Sequence, residues 1–177
     1  MGVEIRRVQD ADFEAIAALT NYYILNTPIH FGSEPAKAED LRAPWVKTRE
    51  RYPFLVASVD GAFAGYAKAG VWRDRAAYSW TAEVGIYIER AMQGRGVGKA
   101  LYGALLDGLR NQGFHSVIGG ITLPNEASVR LHESLGFHKV SHVKHGGWKF
   151  GKWHDVGFWQ IMLRDDEHGA GPIAPPA

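Results

Sequence analysis

The sequence predicts a mixed α/β fold in a single domain, and three observations favour this class. Strand-like and helix-like segments follow in the order strand, two helices, three-stranded meander, helix, strand, helix and two strands. The 177 residues contain no internal repeat or linker, as is typical of one domain. Apolar residues make up 46% of the chain, enough for a core. We expect the domain to span residues 1–164 and the Pro-rich tail 165–177 to be disordered.

Composition and charge exclude several classes of protein. A net charge of +1, from 20 Lys and Arg against 19 Asp and Glu, lacks the basic excess of a nucleic-acid-binding protein. The absence of cysteine excludes disulfides, thiolate metal sites and a catalytic thiol. No apolar segment has the length of a membrane span or follows the pattern of a secretory signal. We therefore expect a cytoplasmic protein with neither nucleic acid nor membrane as a partner.

The first elements are predicted from alternation and from capping residues. Residues 3–8 alternate as a short strand. A helix is expected to begin at Asp10 or Asp12 and to end near Asn26, because a proline follows two residues later. A second helix is expected over 39–51, after a loop that is rich in Gly, Ser and Pro.

Three strands of a meander come next. The segments 54–59 and 63–71 flank an Asp-Gly dipeptide, which is typical of a hairpin turn. The third strand is expected over 78–88, with Trp80 and the alternate residues after it on one face. Glu83 then lies on the opposite face, together with Gly85 and Tyr87.

The C-terminal half alternates helices and strands. Val97, Leu101, Leu105 and Leu109 recur every four residues and predict an amphipathic helix that ends near Gly113. A strand over 115–121 precedes a helix that Asn125 caps and Gly136 ends. Strands over 137–144 and 154–163 are expected to flank a turn, 146–153, rich in Gly and aromatic residues.

The glycine-rich segment Gln93-Gly94-Arg95-Gly96-Val97-Gly98-Lys99 has the features of a phosphate-binding loop. Glycines allow backbone amides to approach an anion closely, and the start of a helix adds unpaired N–H groups and a positive dipole end. A Walker A loop fails at Gln93 and at Ala100. A dinucleotide fingerprint lacks its third glycine at Lys99, and the order of elements gives no parallel βαβ start for it.

Four motifs together resemble one family. Gln93-x-x-Gly96-x-Gly98 resembles the acetyl-CoA pyrophosphate loop of the GCN5-related N-acetyltransferases (GNAT), and the segment 125–137 resembles the later helix of the same family. Segments 80–83 and 153–160, and residues 128–133 within that helix, are similar to its phosphinothricin and methionine sulfoximine acetyltransferase branch. The resemblance extends from about residue 3 to 163.

The resemblance implies a fold, a reaction and partners. The fold would be a mixed, mostly antiparallel sheet flanked by helices. The reaction would be acetyl transfer from acetyl-CoA, as cosubstrate, to the amino group of a small amino-acid analogue such as L-phosphinothricin or L-methionine sulfoximine. This activity serves detoxification and antibiotic or herbicide resistance, and homodimers are common in the branch. With no cysteine, acetyl transfer would pass directly from the thioester to the amine.

Glu83 and His132 are the expected catalytic residues. An amine must lose a proton before it attacks, and Glu83 matches the base that the family carries on its central strand. A lone glutamate on a strand is otherwise a surface carboxylate. His132, which lies two helical turns after Asn125, can exchange a proton near neutral pH, either with the amine or with the leaving thiolate. A histidine packed within a helix is the alternative.

The binding residues follow from the same motifs. The resemblance implies cofactor contacts from Ser128, from Asn125, from the glycine segment and from the strand before it, where backbone N–H groups of Ile86 and Ile88 would hold the thioester carbonyl. Tyr87 lies between them. For the substrate, Arg73 and Arg75 could bind a carboxylate. The remaining residues expected around the substrate are Asp74, Val84, Gly85 and Phe31.

Other functions are weighed against these residues. A non-catalytic acyl-CoA sensor would need neither Glu83 nor His132. Acetylation of a peptide or ribosomal-protein N-terminus remains open, whereas a polyamine would need an acidic pocket, against which Arg73 and Arg75 argue. The histidines at 138, 142, 145 and 154 do not have the spacing of metal ligands, so no metal site is expected.

Overall fold

The computed structural model describes residues 2–165, 167 and 169–177, and in them one seven-stranded sheet carries helices on both faces. The sheet order is β1-β2-β3-β4-β5-β7-β6. The elements in chain order are β1 (Val3–Arg7), α1 (Phe13–Asn26), α2 (Ala38–Thr48), β2 (Phe54–Val59), β3 (Ala62–Val71), β4 (Thr81–Ile88), α3 (Val97–Gln112), β5 (Ser116–Leu123), α4 (Glu126–Ser134), β6 (His138–Lys149) and β7 (Lys152–Met162). The mixed, mostly antiparallel sheet is confirmed.

The β4 and β5 strands form the parallel pair within this otherwise antiparallel sheet. The α3 helix crosses between them, because a chain must cross back over the sheet before it can run in the same direction again. The glycine segment therefore does open a βαβ unit. The expectation that the order of elements excludes one was wrong, since two strands adjacent in sequence can pair in parallel across a helix.

The parallel pairing stops halfway along both strands. It runs from Thr81↔Ser116 to Val84↔Gly119. Beyond that point, residues 85–88 pair with β3 alone, and residues 120–123 pair with β7 alone. The two strands therefore separate towards their carboxyl ends, and a gap opens in the middle of the sheet.

Alternate residues of β4 lie on opposite faces of the sheet, as predicted. Ala82 and Val84 are buried in the core beneath α3, whose residues at four-residue spacing are fully buried. Tyr87 packs on the other face, against aromatic residues of α1 and β3, and Glu83 shares that face. Burial of the α3 stripe fixes this helix, and the glycine segment before it, against the sheet. None of the described helices has the length and apolar character needed to cross a membrane.

Several predicted boundaries differ from the structure. The second helix ends at Thr48 and not at residue 51. The third meander strand begins at Thr81 and not at residue 78, because residues 76–78 form a 3-10 turn and Arg51 holds the carbonyl oxygen of Ser79. The expected turn over 146–153 is a two-residue turn between β6 and β7. Phe150 and Gly151 both have positive φ there, of 50° and 73°, as a tight hairpin turn requires.

The C-terminal tail lies against the domain, whereas the sequence analysis expected disorder from residue 165. The carbonyl oxygen of Gly171 accepts a hydrogen bond from the Trp80 indole at 2.6 Å. Ala174 exchanges two hydrogen bonds with Gln112, and Ile173 packs on the core. Composition could not reveal these contacts, because their partners lie more than 60 residues away. Asp166 and His168, which also belong to this tail, lie outside the described residues, as does Met1.

Candidate active site

Two cavities meet at the gap between β4 and β5. One, of about 470 Å³, lies beside α2 and β3 and contains the Glu83 side chain. The other, of about 370 Å³, lies between the glycine segment and α4. A smaller cavity of about 50 Å³ occupies the gap and shares Gly85 and Tyr87 with the first, and Ile86 and Asn125 with the second. The first is hereafter the Glu83 cavity and the second the glycine-loop cavity.

Glu83 is a partly buried carboxylate whose pKa is shifted. Removal from water raises its pKa, and the positive charge of Lys68 offsets part of that rise. Gly120, on β5, leaves space beside the carboxylate: a Cβ there would lie 4.0 Å from Glu83 Oε1. A carboxylate with a raised pKa at the wall of a cavity has the properties of a general base.

Lys68 is a candidate site residue that the sequence analysis missed. It pairs with Gly85 across β3 and β4, on the same face of the sheet as Glu83, and lines the Glu83 cavity. Partial desolvation lowers its pKa. The signal in the sequence was one lysine in an otherwise apolar strand. Lys68 thus places a positive charge in the cavity that holds the candidate base.

The glycine segment takes the shape that its composition predicts. Gly94 and Gly96 have φ of 71° and 82°, in the left-handed region that favours glycine. Gly96 is the N-cap of α3, so unpaired N–H groups at the start of this helix lie beside the glycine-loop cavity. The arrangement fits a pyrophosphate, because backbone amides and the helix dipole both favour an anion.

The side chains within this segment differ in their positions. Gln93 and Lys99 line the cavity, whereas Val97 is fully buried in the core and can offer only its backbone. The Arg95 guanidinium lies 3.4 Å from the sulfur of Met92. Of the expected cofactor residues in this segment, the glycines, Gln93 and Lys99 therefore face the cavity.

Tyr23 joins the glycine segment to β4, and no pattern in the sequence pointed to it. Its hydroxyl donates to the carbonyl oxygen of Ile88 at 2.7 Å and accepts from Gln93 Nε2 at 3.0 Å.

The direction of the backbone N–H groups of β4 follows from the residue after the strand. The N–H of Glu89 donates to the carbonyl oxygen of Ala64 and so faces β3. Because backbone groups alternate sides along a strand, the N–H groups of Ile86 and Ile88 face the gap.

Asn125 and Ser128 occupy the first turn of α4 and line both the gap and the glycine-loop cavity. Asn125 is the N-cap: its side-chain oxygen accepts from the backbone N–H of Ser128 at 3.2 Å, which confirms the predicted cap. The open strands, the glycine segment and the α4 N-terminus therefore enclose one elongated space.

His132 borders the gap but is 3% exposed. Its Nδ1 lies 2.8 Å from the carbonyl oxygen of Ser128, and its Nε2 lies 2.9 Å from the Tyr102 hydroxyl. Burial lowers its pKa. Gly119 is required beside the ring, since a Cβ at that position would lie 2.6 Å from Nε2. Both ring nitrogens thus have partners within the protein.

Four expected substrate residues lie away from Glu83. Arg73, Asp74 and Arg75 are exposed and line a neighbouring cavity of about 360 Å³, which shares Thr48 with the Glu83 cavity. Phe31 packs against the β6–β7 hairpin, where a Cβ on Gly147 would meet its ring. Val84 and Gly85, in contrast, line the Glu83 cavity as expected. Among the described residues, no three His, Asp or Glu side chains cluster as a metal site.

The geometry is that of a two-substrate site. One substrate with phosphates fits the glycine-loop cavity, and a second, smaller one fits beside the candidate base. The gap lets their reacting ends meet, and backbone N–H groups of β4 face it. Such a site suits the transfer of a group from a phosphate-bearing carrier to a nucleophile.

Comparisons with known proteins agree with this geometry. Residues 5–157 match the model of a family described as acetyltransferase (GNAT) domain. The chain is 44% identical to a phosphinothricin N-acetyltransferase of Streptomyces viridochromogenes, over 96% of this chain and 91% of the relative. It is 37% identical to an L-methionine sulfoximine/L-methionine sulfone acetyltransferase of Salmonella typhimurium, over 94% and 96%. An acetyltransferase structure from Salmonella typhimurium with its cofactor acetyl-CoA superimposes with a TM-score of 0.89, at 35% identity over 96% and 98%.

Proposed function

The chain belongs to the GNAT acetyltransferase family, and from this membership we propose that it transfers the acetyl group of acetyl-CoA to the amino group of a small amino-acid analogue. The proposed substrate class is that of L-phosphinothricin and L-methionine sulfoximine, the substrates for which the two relatives are named. One observation carries the proposal: the Glu83 carboxylate lies on the other side of the gap from the glycine segment.

Acetyl-CoA is the cosubstrate, and the residues of the glycine-loop cavity suit it. The backbone around Gly94 and Gly96 would hold the pyrophosphate, with Lys99 as an added positive charge. Asn125 and Ser128 would contact the arm that leads to the gap. The acetyl group would then reach the space between β4 and β5, beside the Glu83 cavity.

Glu83 is proposed to accept the proton. The amine nitrogen bonds to the acetyl carbon as its C–S bond breaks, and the proton that the amine gives up passes to Glu83, directly or through water. The N–H groups of Ile86 and Ile88 would stabilise the carbonyl oxygen as it gains negative charge. The thiolate of CoA leaves with the electron pair of the C–S bond and takes up a proton from solvent.

His132 is proposed to position α4 and not to carry a proton. Acid or base work by this ring requires that it release Ser128 or Tyr102. Its lowered pKa keeps it neutral near pH 7, so it has no spare proton for the thiolate. The ring instead ties α4, the helix that carries Asn125, to α3 through the Tyr102 hydroxyl, at the edge of the gap.

Lys68 is the proposed partner of the substrate carboxylate. Arg73 and Arg75 remain a prediction for a longer or more acidic head group, because their cavity is next to that of Glu83. Lys68 lines the same cavity as the candidate base, and an ammonium there can hold an α-carboxylate while the α-amine faces Glu83. This places a cation where an amino acid, and not a polyamine, would be favoured.

A homodimer is proposed through the β6–β7 hairpin. The β6 strand forms one edge of the sheet and is exposed along most of its length. Trp148, Phe150 and Trp153 are 60%, 57% and 55% exposed at its tip. An exposed edge with aromatic side chains is typical of an interface. Light scattering should give twice the chain mass for the wild type and less for Trp148→Lys with Trp153→Lys; a monomeric wild type contradicts the proposal.

Steady-state kinetics with acetyl-CoA test the proposed function. Release of free CoA would be measured with L-phosphinothricin, L-methionine sulfoximine, free amino acids, a peptide N-terminus and spermidine. We expect the first two to have the highest kcat/KM. Turnover of the peptide or of spermidine alone would overturn the substrate class, and CoA binding without turnover on any amine would favour a sensor. The detoxifying role and the cytoplasmic location remain predictions.

A further inference from the structure

Lys149 is a buried lysine at the end of β6, on the face of the strand opposite to Trp148, and its ammonium lies 4.9 Å from the centroid of the Phe150 ring. It is 8% exposed, and its ammonium donates hydrogen bonds to the carbonyl oxygens of Ile24 and His30. Among the described residues, no carboxylate pairs with it. A buried charge is costly unless it is satisfied, and these two carbonyl acceptors offset the cost of burying this ammonium.

The two carbonyls belong to the end of α1 and to the loop that follows it. Ile24 lies in the last turn of α1, where carbonyl groups lack helical donors and the helix dipole favours a cation. His30 lies six residues further along. One ammonium group therefore bridges both ends of this short stretch and determines how the chain leaves the helix.

Residues 27–33 reach the proposed active site. Ile29 lines both the glycine-loop cavity and the gap between β4 and β5. The His30 ring lies 5.9 Å from the ring of Tyr87, which borders the gap and the Glu83 cavity. The position of this loop thus sets part of the wall of the glycine-loop cavity and of the gap.

Packing on the hairpin supports the same arrangement. The ring of Phe31 occupies the place of a side chain at Gly147, where a Cβ would lie 2.4 Å from it. The buried His154 ring donates through Nε2 to the backbone carbonyl of Lys149 at 3.0 Å. The end of β6 and the start of β7 are therefore packed against residues 27–33, and Lys149 is the charged contact between the hairpin and this loop.

We propose that Lys149 is a positioning residue that holds residues 27–33 as a wall of the acetyl-CoA site and of the gap between β4 and β5. The inference rests on the proposed function for its kinetic readout only. Without the ammonium, two buried carbonyls lose their donor, the loop loosens and the cofactor cavity loses the fixed position of Ile29.

The test compares Lys149→Met with Lys152→Met. Lys152 pairs with Lys149 across the same hairpin but is exposed, so it is a matched control. We expect Lys149→Met to raise the calorimetric Kd for CoA about 3- to 10-fold and to increase deuterium uptake in 27–33, while Lys152→Met leaves both unchanged. In Lys149→Met, the kcat/KM for the amine should fall in parallel with the loss of CoA affinity.

Three outcomes would overturn the proposal. One is wild-type CoA affinity and wild-type exchange in Lys149→Met. The second is an equal change in Lys152→Met. The third is failure of both Lys149→Met and Lys149→Gln to fold, judged by circular dichroism, since the lysine would then serve the fold as a whole. If the wild type acetylates no amine, the proposed function fails, but the exchange and CoA measurements still decide the role of Lys149.

Discussion

The hydroxyl of Tyr102 lies 2.9 Å from Nε2 of His132. The other ring nitrogen lies 2.8 Å from the carbonyl oxygen of Ser128, which can only accept. Nδ1 must therefore carry the proton, and Nε2 must accept from the tyrosine. Two partners at opposite ends of the ring define one neutral tautomer, which is the reason to assign His132 to positioning.

The tautomer of His132 can be measured directly. We expect ¹⁵N NMR shifts of a neutral ring with the proton on Nδ1 at pH 7, since burial lowers the pKa of His132. Because folding favours the neutral ring, its protonation opposes folding, so the free energy of unfolding should fall as the pH drops below about 6.5. A charged ring at pH 7 would restore the acid or base role.

Tyr102→Phe tests the partner of that ring. The substitution removes the hydroxyl and leaves Nε2 buried without a donor, which costs roughly 1–3 kcal/mol of unfolding free energy. Urea denaturation measures this loss. Tyr102 lines none of the three cavities at the gap, so its loss should act on acetyl-CoA only through the position of α4, and the KM for acetyl-CoA should rise by no more than a few-fold. A large loss of kcat in a stable variant would indicate that the pair moves a proton.

Glu83→Gln should remove most of the activity without loosening the fold. An amide of the same size cannot accept the amine proton, so we expect kcat/KM to fall about 10²- to 10⁴-fold with CoA affinity unchanged. Since burial raises the pKa of Glu83, folding opposes its charged form at neutral pH, and Tm should rise slightly. Glu50→Gln, at an exposed carboxylate, is the matched control. Wild-type kcat/KM in Glu83→Gln excludes the base role.

Lys68 should control the pH at which activity appears. The base must be ionised, so kcat/KM rises with pH through the raised pKa of Glu83. Lys68→Met removes the charge that lowers this pKa, so the acid limb of the kcat/KM profile should move to higher pH. Lys68→Arg keeps the charge, so its acid limb should stay near that of the wild type. An acid limb at the same pH in both variants would show that Lys68 does not act on Glu83.

Local sequence patterns predicted the helices and strands of this site better than they predicted the contacts between them. Spacing along α3 and the cap at Asn125 are contained in a few consecutive residues, so they could be predicted. The gap between β4 and β5 depends on where parallel pairing stops, which no segment encodes alone. Tyr23 and Lys149 act on partners more than 60 residues away, and Arg73 and Arg75 are close to Glu83 in sequence without sharing its cavity.

Asn125 combines a structural and a binding role that substitution can separate. Asn125→Asp keeps a side-chain acceptor for the N–H of Ser128, so Tm should stay within about 2 °C of the wild type. Its negative charge would lie in the cavity proposed for a phosphate-bearing molecule, so the Kd for CoA should rise several-fold. Asn125→Ala should lower stability by about 1 kcal/mol. Wild-type CoA affinity in Asn125→Asp would place the cofactor elsewhere.

Gly98→Ala should stabilise the protein while weakening the binding of CoA. Gly98 is in α3 with ordinary helical φ, and a Cβ there would lie 3.5 Å from Leu131 and 3.6 Å from Ile88, without a clash. Alanine favours a helix over glycine by up to roughly 1 kcal/mol. The methyl group, however, enters the glycine-loop cavity that Gly98 lines, so the Kd for CoA should rise about 3- to 10-fold.

Gly108→Ala is the matched control for this prediction. It lies in the same helix, and nothing stands within 4 Å of the added Cβ. The gain in urea stability should therefore be similar, whereas calorimetry should give the wild-type Kd for CoA, because Gly108 does not line the cavity. Both variants reduce the entropy of the unfolded chain in the same way, so only the position of the methyl group separates them. Equal CoA affinity in the two variants would mean that the glycine-loop cavity is not where CoA binds.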